Sequence, residues 1–349
     1  MAKFQSNVLA AGLCVLGSAL CAPAHAGTVM DEIRERGQVV CLVNSNSPGF
    51  SVPDSNGVYQ GFNPQFCRMA AAAIFGDAGK ADIRGIGFSD SMKTIVSGEA
   101  DMASRSITAT GTRDADPGMA FVVTTFFDGQ GFMVPKSLGI TAASGLGGAT
   151  VCAEEGSTTL SNVADWFSDR GMDYKIENIA DKTARLQAFF GGKCDVLSSD
   201  LTALASDRLL AEKPDDFMLL PDIISNEPLA IVTRPDHQLE GAIFWAFQVM
   251  LWAEELNITS SNVDAIVADL GNQPKAVQRL LGRDAAMGEM AAKLGLNENW
   301  AVEVIRQVGN YDEVFQNTIG TASPMAIDRA VTPNRLSSKG GLHYPYPIR

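Results

Sequence analysis

The chain has 349 residues, 46% of them hydrophobic, with 27 Lys and Arg against 40 Asp and Glu and a formal net charge of −13. That length suits two domains of ordinary size, and the acidic balance argues against nucleic acid or anionic membrane surfaces as partners. Only 3 histidines are present, too little material for a His-based metal site or catalytic triad, so no metal and no cofactor are expected.

The first element reads as a secretory leader. Lys3 is the only charge before Asp31, an apolar run extends from Val8 to Ala22, and Ala24-His25-Ala26 fits the small-residue rule for cleavage, which sets the signal at residues 1–26. The run is shorter than the ~20 residues a membrane span needs, and Leu20 stands before Cys21 where a lipoprotein anchor would need a small residue. Removing the leader leaves 323 residues and four of the 6 cysteines: Cys41, Cys67, Cys152 and Cys194. An even number of cysteines in an exported chain points to two disulfides, with three connectivities open. No CxxC is present, which argues against a metal site. Pairing Cys41 with Cys67 and Cys152 with Cys194 would place one staple in each of two lobes, each worth roughly 3–4 kcal/mol in the chain-entropy account.

Val39–Val43 has the length and apolarity of a buried strand, and turn-rich sequence follows from Asn44 to Gly57. Gly61–Phe75 carries Phe62, Phe66, Met69, Ala70, Ala73 and Ile74 on one helical stripe and reads as a core-facing helix. Phe121–Phe127 and Gly131–Val134 read as two strands leading out of a first lobe. The Gly-, Ser- and Ala-rich stretch from Pro135 to Gly148 reads as the passage into a second lobe. Ala149–Ala153 opens that lobe as a strand, and Leu160–Phe167 follows as a helix capped by Ser157 or Thr158. Phe217–Leu220 is strand-like, Glu227–Thr233 reads as the return passage, and from Leu239 onward the pattern is mainly helical.

Within this alternation one design occurs twice. Gly98-Glu-Ala-Asp-Met-Ala-Ser-Arg-Ser-Ile-Thr108 and Gly192-Lys-Cys-Asp-Val-Leu-Ser-Ser-Asp-Leu-Thr202 share Gly, Asp, Ser and Thr at the same offsets. Each reads as a helix, a Gly stop, a short buried strand and a polar tip. Such tips are where open α/β sheets bind ligands, so two of them suggest two similar lobes facing one site. The decisive offset among those that differ carries Ser106 in the first copy and Asp200 in the second.

The residues around these tips compose a reader of a zwitterion. Arg113 can hold a carboxylate through two parallel hydrogen bonds; the alternative is a surface Arg paired with Asp114 or Asp116. Gly156-Ser157-Thr158-Thr159 precedes a helix, where N–H groups and the helix dipole favour an anion, although an ordinary N-cap would look the same. Asp200 can accept from an ammonium group or cap the helix after it. Arg105 either reaches a ligand side chain or buttresses its loop. Phe50, after Pro48-Gly49, is placed to wall a pocket, and Phe88 is a second aromatic candidate.

Several strings then carry a family resemblance: Gly61-Phe62, Ser97-Gly98-Glu99-Ala100-Asp101, Ser104-Arg105, Thr112-Arg113-Asp114, Asp128-Gly-Gln-Gly-Phe-Met133, Gly156-Ser-Thr-Thr159, Glu227-Pro-Leu229 and Val308-Gly-Asn-Tyr311. With them the chain resembles the periplasmic substrate-binding proteins of polar amino-acid ABC transporters, most closely the general L-amino-acid subgroup, and the four-cysteine pattern matches too. The resemblance implies an α/β, two-lobed type II periplasmic binding protein fold with two crossover strands and a helical C-terminal extension. Lobe 1 would comprise residues 27–134 and 230–349, and lobe 2 residues 135–229. It implies that Arg113 clamps an α-carboxylate, that Ser104, Ser106 and Thr158 add backbone or hydroxyl contacts, and that Asp200 takes the α-ammonium. The implied function is capture of an L-amino acid and delivery to an inner-membrane ABC permease by a periplasmic monomer that is neither an enzyme nor inserted in the membrane. An amino-acid-sensing module for a receptor, or an exported dehydratase using Asp200 with Glu154 or Glu155, are the alternatives. Ser91-Met92 stands where the subgroup carries Arg-Phe, Phe62-Asn63 where it carries Phe-Asp, and Ser106-Ile-Thr-Ala where it often carries Asn-Thr-Thr-Trp. These departures bear on side-chain preference, not on the α-amino-acid clamp.

Overall fold

A computed structural model describes residues 28–282 and 285–348; the expected leader, residues 1–26, lies outside the described residues. The first half of the chain runs α1 (Val29–Arg36), β1 (Val39–Asn44), β2 (Val52–Pro53), β3 (Tyr59–Gln60), α2 (Phe62–Phe75), β4 (Ala81–Ile86), α3 (Phe88–Val96), β5 (Met102–Thr108), α4 (Gly111–Asp114) and β6 (Ala120–Pro135). It continues through β7 (Thr150–Glu154), α5 (Thr158–Asp169), β8 (Lys175–Ile179), α6 (Lys182–Phe190), β9 (Val196–Asp200), α7 (Leu201–Arg208), β10 (Phe217–Leu219) and β11 (Ser225–Thr233). The close is helical: α8 (His237–Glu255), α9 (Val263–Ala268), α10 (Lys275–Leu281), α11 (Ala285–Leu294), α12 (Trp300–Val308) and α13 (Tyr311–Thr318).

The main sheet has the order β4-β1-β5-β11-β6-β9-β7-β8 and is nearly symmetric about its centre. On one side β1 pairs in parallel with β4 and β5; on the other β7 pairs in parallel with β8 and β9. The two central strands run antiparallel to each other and join the sides. A buried strand presents alternate residues to opposite faces, and β1 shows this. Val39, Cys41 and Val43 belong to a core shared with α2, α8 and α12, while Val40 and Leu42 face Ile95 and Ile107. The second side repeats the plan with separate cores around Phe132, Val151 and Phe167 and around Met133, Leu186 and Leu197. Disulfides join Cys41 to Cys67 and Cys152 to Cys194, one on each side.

The repeated sequence corresponds to a repeated structure. Gly98 and Gly192 take φ of 81° and 77°, the left-handed region that favours glycine. Asp101 and Asp195 then grip the strand before them by the same two bonds. The Asp101 carboxylate accepts from Val40 N–H at 2.7 Å while its own N–H donates to Val40 O at 3.0 Å. Asp195 treats Thr150 likewise, at 2.8 and 2.9 Å.

The passage between the sides differs from the sequence expectation. Phe121–Phe127 and Gly131–Val134 are one continuous 16-residue strand, β6, which pairs with β11 over Ala120–Gln130 and with β9 from Gln130 to Met133. The chain therefore changes sides near Gly129, ahead of the 135–148 stretch that looked like the passage. Gly129 and Gly131 act by close approach: a Cβ would come within 2.5 Å of Ile223 at the first and 2.6 Å of Leu201 at the second. The C-terminal region braces this point. Tyr311 donates to Thr125 O at 2.8 Å, and the Asn334 side chain both accepts from Phe127 N–H at 2.7 Å and donates to Phe127 O at 2.9 Å. Opposite Phe127 stands Pro228, so the buried Asn334 amide takes the place of a strand neighbour. Nearby, Arg329 is buried against Glu254 through bonds of 2.9 and 2.8 Å.

Candidate ligand-binding site

The tips of β1, β5, β7, β8 and β9 converge on a cleft between the two sides, with a cavity of about 160 Å³. Asn44, Ser47, Phe88, Arg105, Ser106 and Arg113 line it from the first side, and Glu154, Ser157, Thr158, Lys182, Arg185 and Asp200 from the second. At about 10–15 Å³ per water-sized sphere, the space suits a ligand of roughly ten non-hydrogen atoms. Two contacts cross the cleft: Lys182 Nζ donates to Ser47 Oγ at 2.8 Å and Arg113 Nη2 to Gly156 O at 3.3 Å.

Arg113 sits on α4, whose first turn is capped by Thr110. Its guanidinium turns into the cleft, bonded to Thr108 O at 2.9 Å and 5.2 Å from the Phe88 ring centre. It does not pair with Asp114 or Asp116. Burial lowers its pKa, while Glu227 and Asp200 oppose that shift. Ser106 lines the cavity with φ 59°, one of three non-glycine residues with positive φ among those described. Its hydroxyl accepts from Asn63 Nδ2 at 3.2 Å. Such strain persists only where surrounding structure holds it, here the Asn63 side chain on α2.

On the opposite side the expected capping of α5 is not seen. Ser157 occupies the N-cap position without a side-chain cap bond; its hydroxyl donates to Glu154 O at 2.6 Å, and Thr158 Oγ1 donates to Glu227 Oε2 at 3.2 Å. The first-turn N–H groups of α5 therefore have no cap from either hydroxyl. Asp200 ends β9 at the N-cap of α7, also without a side-chain cap bond. Burial, then Asp128 and then Glu227, hold its carboxyl well above the usual carboxylate range, opposed by Arg185 and Arg113. Those two neighbours are tied down: Asp128 accepts from Thr202 N–H at 3.1 Å, and Glu227 accepts from Asn162 Nδ2 at 2.7 Å. Burial also raises Asp128, to about 6. Asp200 is the carboxylate of this group left without a hydrogen-bond donor.

Two expected residues are not in the cavity wall. Phe50 is 3% exposed and packs edge-on against Phe62 and Phe126 in the core, because Gly49, at φ 78°, turns the chain inward. Ser104 is buried behind the tip, with its hydroxyl unpartnered. Phe88, the second aromatic candidate, supplies the wall instead, with the Arg105 and Arg113 guanidinium carbons 5.0 and 5.2 Å from its ring centre. Sequence reasoning missed Lys182 and Arg185. Both are anchored on the fully buried Asp207, at 2.7 and 2.9 Å, and the signal that would have found them is the tip after β8.

A continuous sheet divided into two cored sides by two crossing strands, with a small polar cavity between strand tips, defines a two-lobed type II periplasmic binding protein. Among the described residues no helix is long and apolar enough to cross a membrane. The chain belongs to the bacterial extracellular solute-binding proteins, family 3, whose profile matches residues 39–317. It is 38% identical over 333 residues to the glutamate/glutamine/aspartate/asparagine-binding protein BztA of Rhodobacter capsulatus, covering 95% of this chain and 96% of that one. It is 37% identical to the general L-amino acid-binding periplasmic protein AapJ of Rhizobium johnstonii, covering 99% and 100%. Among solved structures it resembles an ABC transporter periplasmic binding protein from Brucella ovis with glutathione bound, at TM-score 0.87 and 35% identity over 93% of this chain and all of that one.

Proposed function

We propose that this protein captures a single L-amino acid in the periplasm and delivers it to an inner-membrane ABC permease. The observation that carries this reading is the placement of opposite charges, Arg113 from one side and Asp200 from the other, on one cavity of about 160 Å³. Arg113 and the uncapped N–H groups of α5 suit an α-carboxylate. Asp200 suits an α-ammonium, which would relieve the repulsion of Asp128 and Glu227. Ser106 and Thr158 would complete the ring of polar contacts.

The two lobes would divide within β6 near Phe127–Gln130 and within β11 near Asn226–Leu229, with closure about those two crossings. A ligand touching both sides stabilises the closed form by its differential affinity for it. The names of the relatives BztA and AapJ, both amino-acid-binding proteins, support the ligand class. Calorimetry over a panel of L-amino acids tests it. Arg113→Ala is expected to weaken the best ligand at least about a hundredfold, or ~2.7 kcal/mol, because a carboxylate is left unpaired in a closed cleft. Unchanged affinity would remove Arg113 from the site.

A further inference from the structure

Asn63 does not line the cavity, yet it touches two residues that do. It is 2% exposed at the start of α2, and its Nδ2 donates to Asn44 Oδ1 at 2.8 Å and to Ser106 Oγ at 3.2 Å. Asn44 ends β1, Ser106 lies on the β5 tip, and both line the cleft. An amide nitrogen has two protons and no lone pair to offer, so both bonds run in one direction. Ser106 Oγ accepts from behind and keeps its own hydroxyl proton for the cleft. Asn44 turns its oxygen to Asn63, and its Nδ2 then has no bond among the described residues. Turning the Asn63 amide over would set oxygen against oxygen unless Asn44 turned with it. The second side runs the other way. Ser157 spends its hydroxyl proton on Glu154 O at 2.6 Å and Thr158 spends its own on Glu227 Oε2 at 3.2 Å. Toward the cleft these two hydroxyls offer lone pairs.

We propose that Asn63 is a positioning residue that sets the hydrogen-bond direction of this corner, so that Ser106 and Asn44 face the ligand as donors. The corner then takes an acceptor group of the ligand and turns away a second ammonium. This rests on the amino-acid reading above and adds to it a residue that touches no ligand. An ionised Asp in the same place has no proton to give. Ser106 would turn its hydroxyl and Asn44 its Nδ2 toward that carboxylate, and both would present acceptors to the cleft. A single amide behind the wall thus decides the polarity of two residues in it.

The first arm of the test needs no ligand. In nitrogen-edited NMR of the mature protein the Asn63 side-chain NH2 should exchange slowly with water, and the Asn44 NH2 at least about tenfold faster. In Asn63→Asp the Asn44 NH2 should become the protected one. Protection at Asn44 in the wild type means that both amides are turned over, and overturns the proposal. The second arm is calorimetry with L-homoserine and L-α,γ-diaminobutyrate, which are equal in non-hydrogen atoms. One ends in a hydroxyl that can accept, the other in an ammonium that cannot. The wild type should favour L-homoserine by at least about tenfold, and Asn63→Asp should lower that ratio at least about thirtyfold. An unchanged ratio overturns the assignment. Ser106→Gly separates direction from charge. It should weaken L-homoserine about tenfold in the wild type and less than about threefold in Asn63→Asp, where the serine proton has already turned away. Equal losses in both backgrounds leave only a charge effect and overturn the direction. If Asn63→Asp does not fold, the wild-type exchange pattern and ratio decide. A wild type that binds no amino acid, with the Asn63 amide protected, overturns the amino-acid reading and leaves the donor corner standing.

Discussion

The tips of β5 and β9 start from the same recipe and end in opposite chemistry. Both follow a left-handed glycine, Gly98 or Gly192, and both are held by an aspartate that grips the neighbouring strand, Asp101 on Val40 and Asp195 on Thr150. Beyond that shared support they part. The β5 tip forces Ser106 to φ 59° and leads on to Arg113, so it presents donors. The β9 tip runs directly into α7 and leaves Asp200 beside two other carboxylates without a donor, so it presents an acceptor. One tip stores backbone strain and the other stores electrostatic strain. The supporting residues and the reading residues lie at separate offsets, which lets one scaffold be duplicated while its electrostatics diverge.

The most direct way to break this contrast is Asp200→Asn. Ligand affinity should fall about a hundredfold, since a charge-assisted bond becomes a neutral one in a buried site. The ligand-free protein should gain stability. A carboxyl whose folded pKa is raised loses stability as pH climbs from its unfolded pKa to its folded one, so above its unfolded pKa Asp200 carries a cost that Asn removes. A thermal midpoint that rises by about 2–4 °C per kcal/mol recovered checks this; a drop would mean that Asp200 is structural. The same shift predicts that wild-type affinity declines on acidification, because protonated Asp200 offers no charge to an ammonium. Calorimetry in buffers of different ionisation enthalpy should then show proton release on binding, while Asp128, Glu227, Arg185 and Arg113 set where the change falls.

Ser106→Val probes the other tip. A β-branched residue at positive φ adds about 1–3 kcal/mol of strain and loses the Asn63 bond, so denaturant unfolding should show that loss and ligand affinity should drop about tenfold. Ser106→Gly, which accepts the same φ freely, should keep the stability. The smallest effect expected is from Lys182→Ala. It removes the cross-cleft bond to Ser47 while the buried Asp207 keeps Arg185 as its partner, so affinity should fall about two- to fivefold, chiefly through faster release in stopped-flow traces.

The architecture was legible where burial wrote it plainly. The apolar run Val39–Val43, the Phe62–Ile74 stripe and the repeated glycine–aspartate element were readable because each faces a core and its composition answers to that. The edge strands β4 and β8 were not. Ala81–Ile86 and Lys175–Ile179 mix charged with apolar residues because much of each is open to solvent, and missing β8 meant missing the tip with Lys182. Gly129 and Gly131 look like turn signals in sequence, yet they lie within β6 and make room there for Ile223 and Leu201. Phe50 was misplaced for a related reason, since the sign of φ at Gly49 decides whether the next ring faces ligand or core. The resemblance led Ser104 to be counted with the contacts, although its offset in the repeat marks the buried strand behind the tip, as at Ser198. Arg105, Ser106 and Asp200, placed by tip position, Arg113 just past a tip, and Ser157 and Thr158, placed by the helix start after Gly156, line the cavity.

The Asn334 amide that closes the backbone of Phe127 joins residues 207 apart in the chain. Fixing the ends of a loop that long carries an entropic cost of about 5 kcal/mol, and contacts of such separation form late in folding. The crossing strand has its backbone partner at Phe127 only when the C-terminal segment is docked, so the far end of the chain, remote from the cleft in sequence, decides whether the crossing between the two sides is braced.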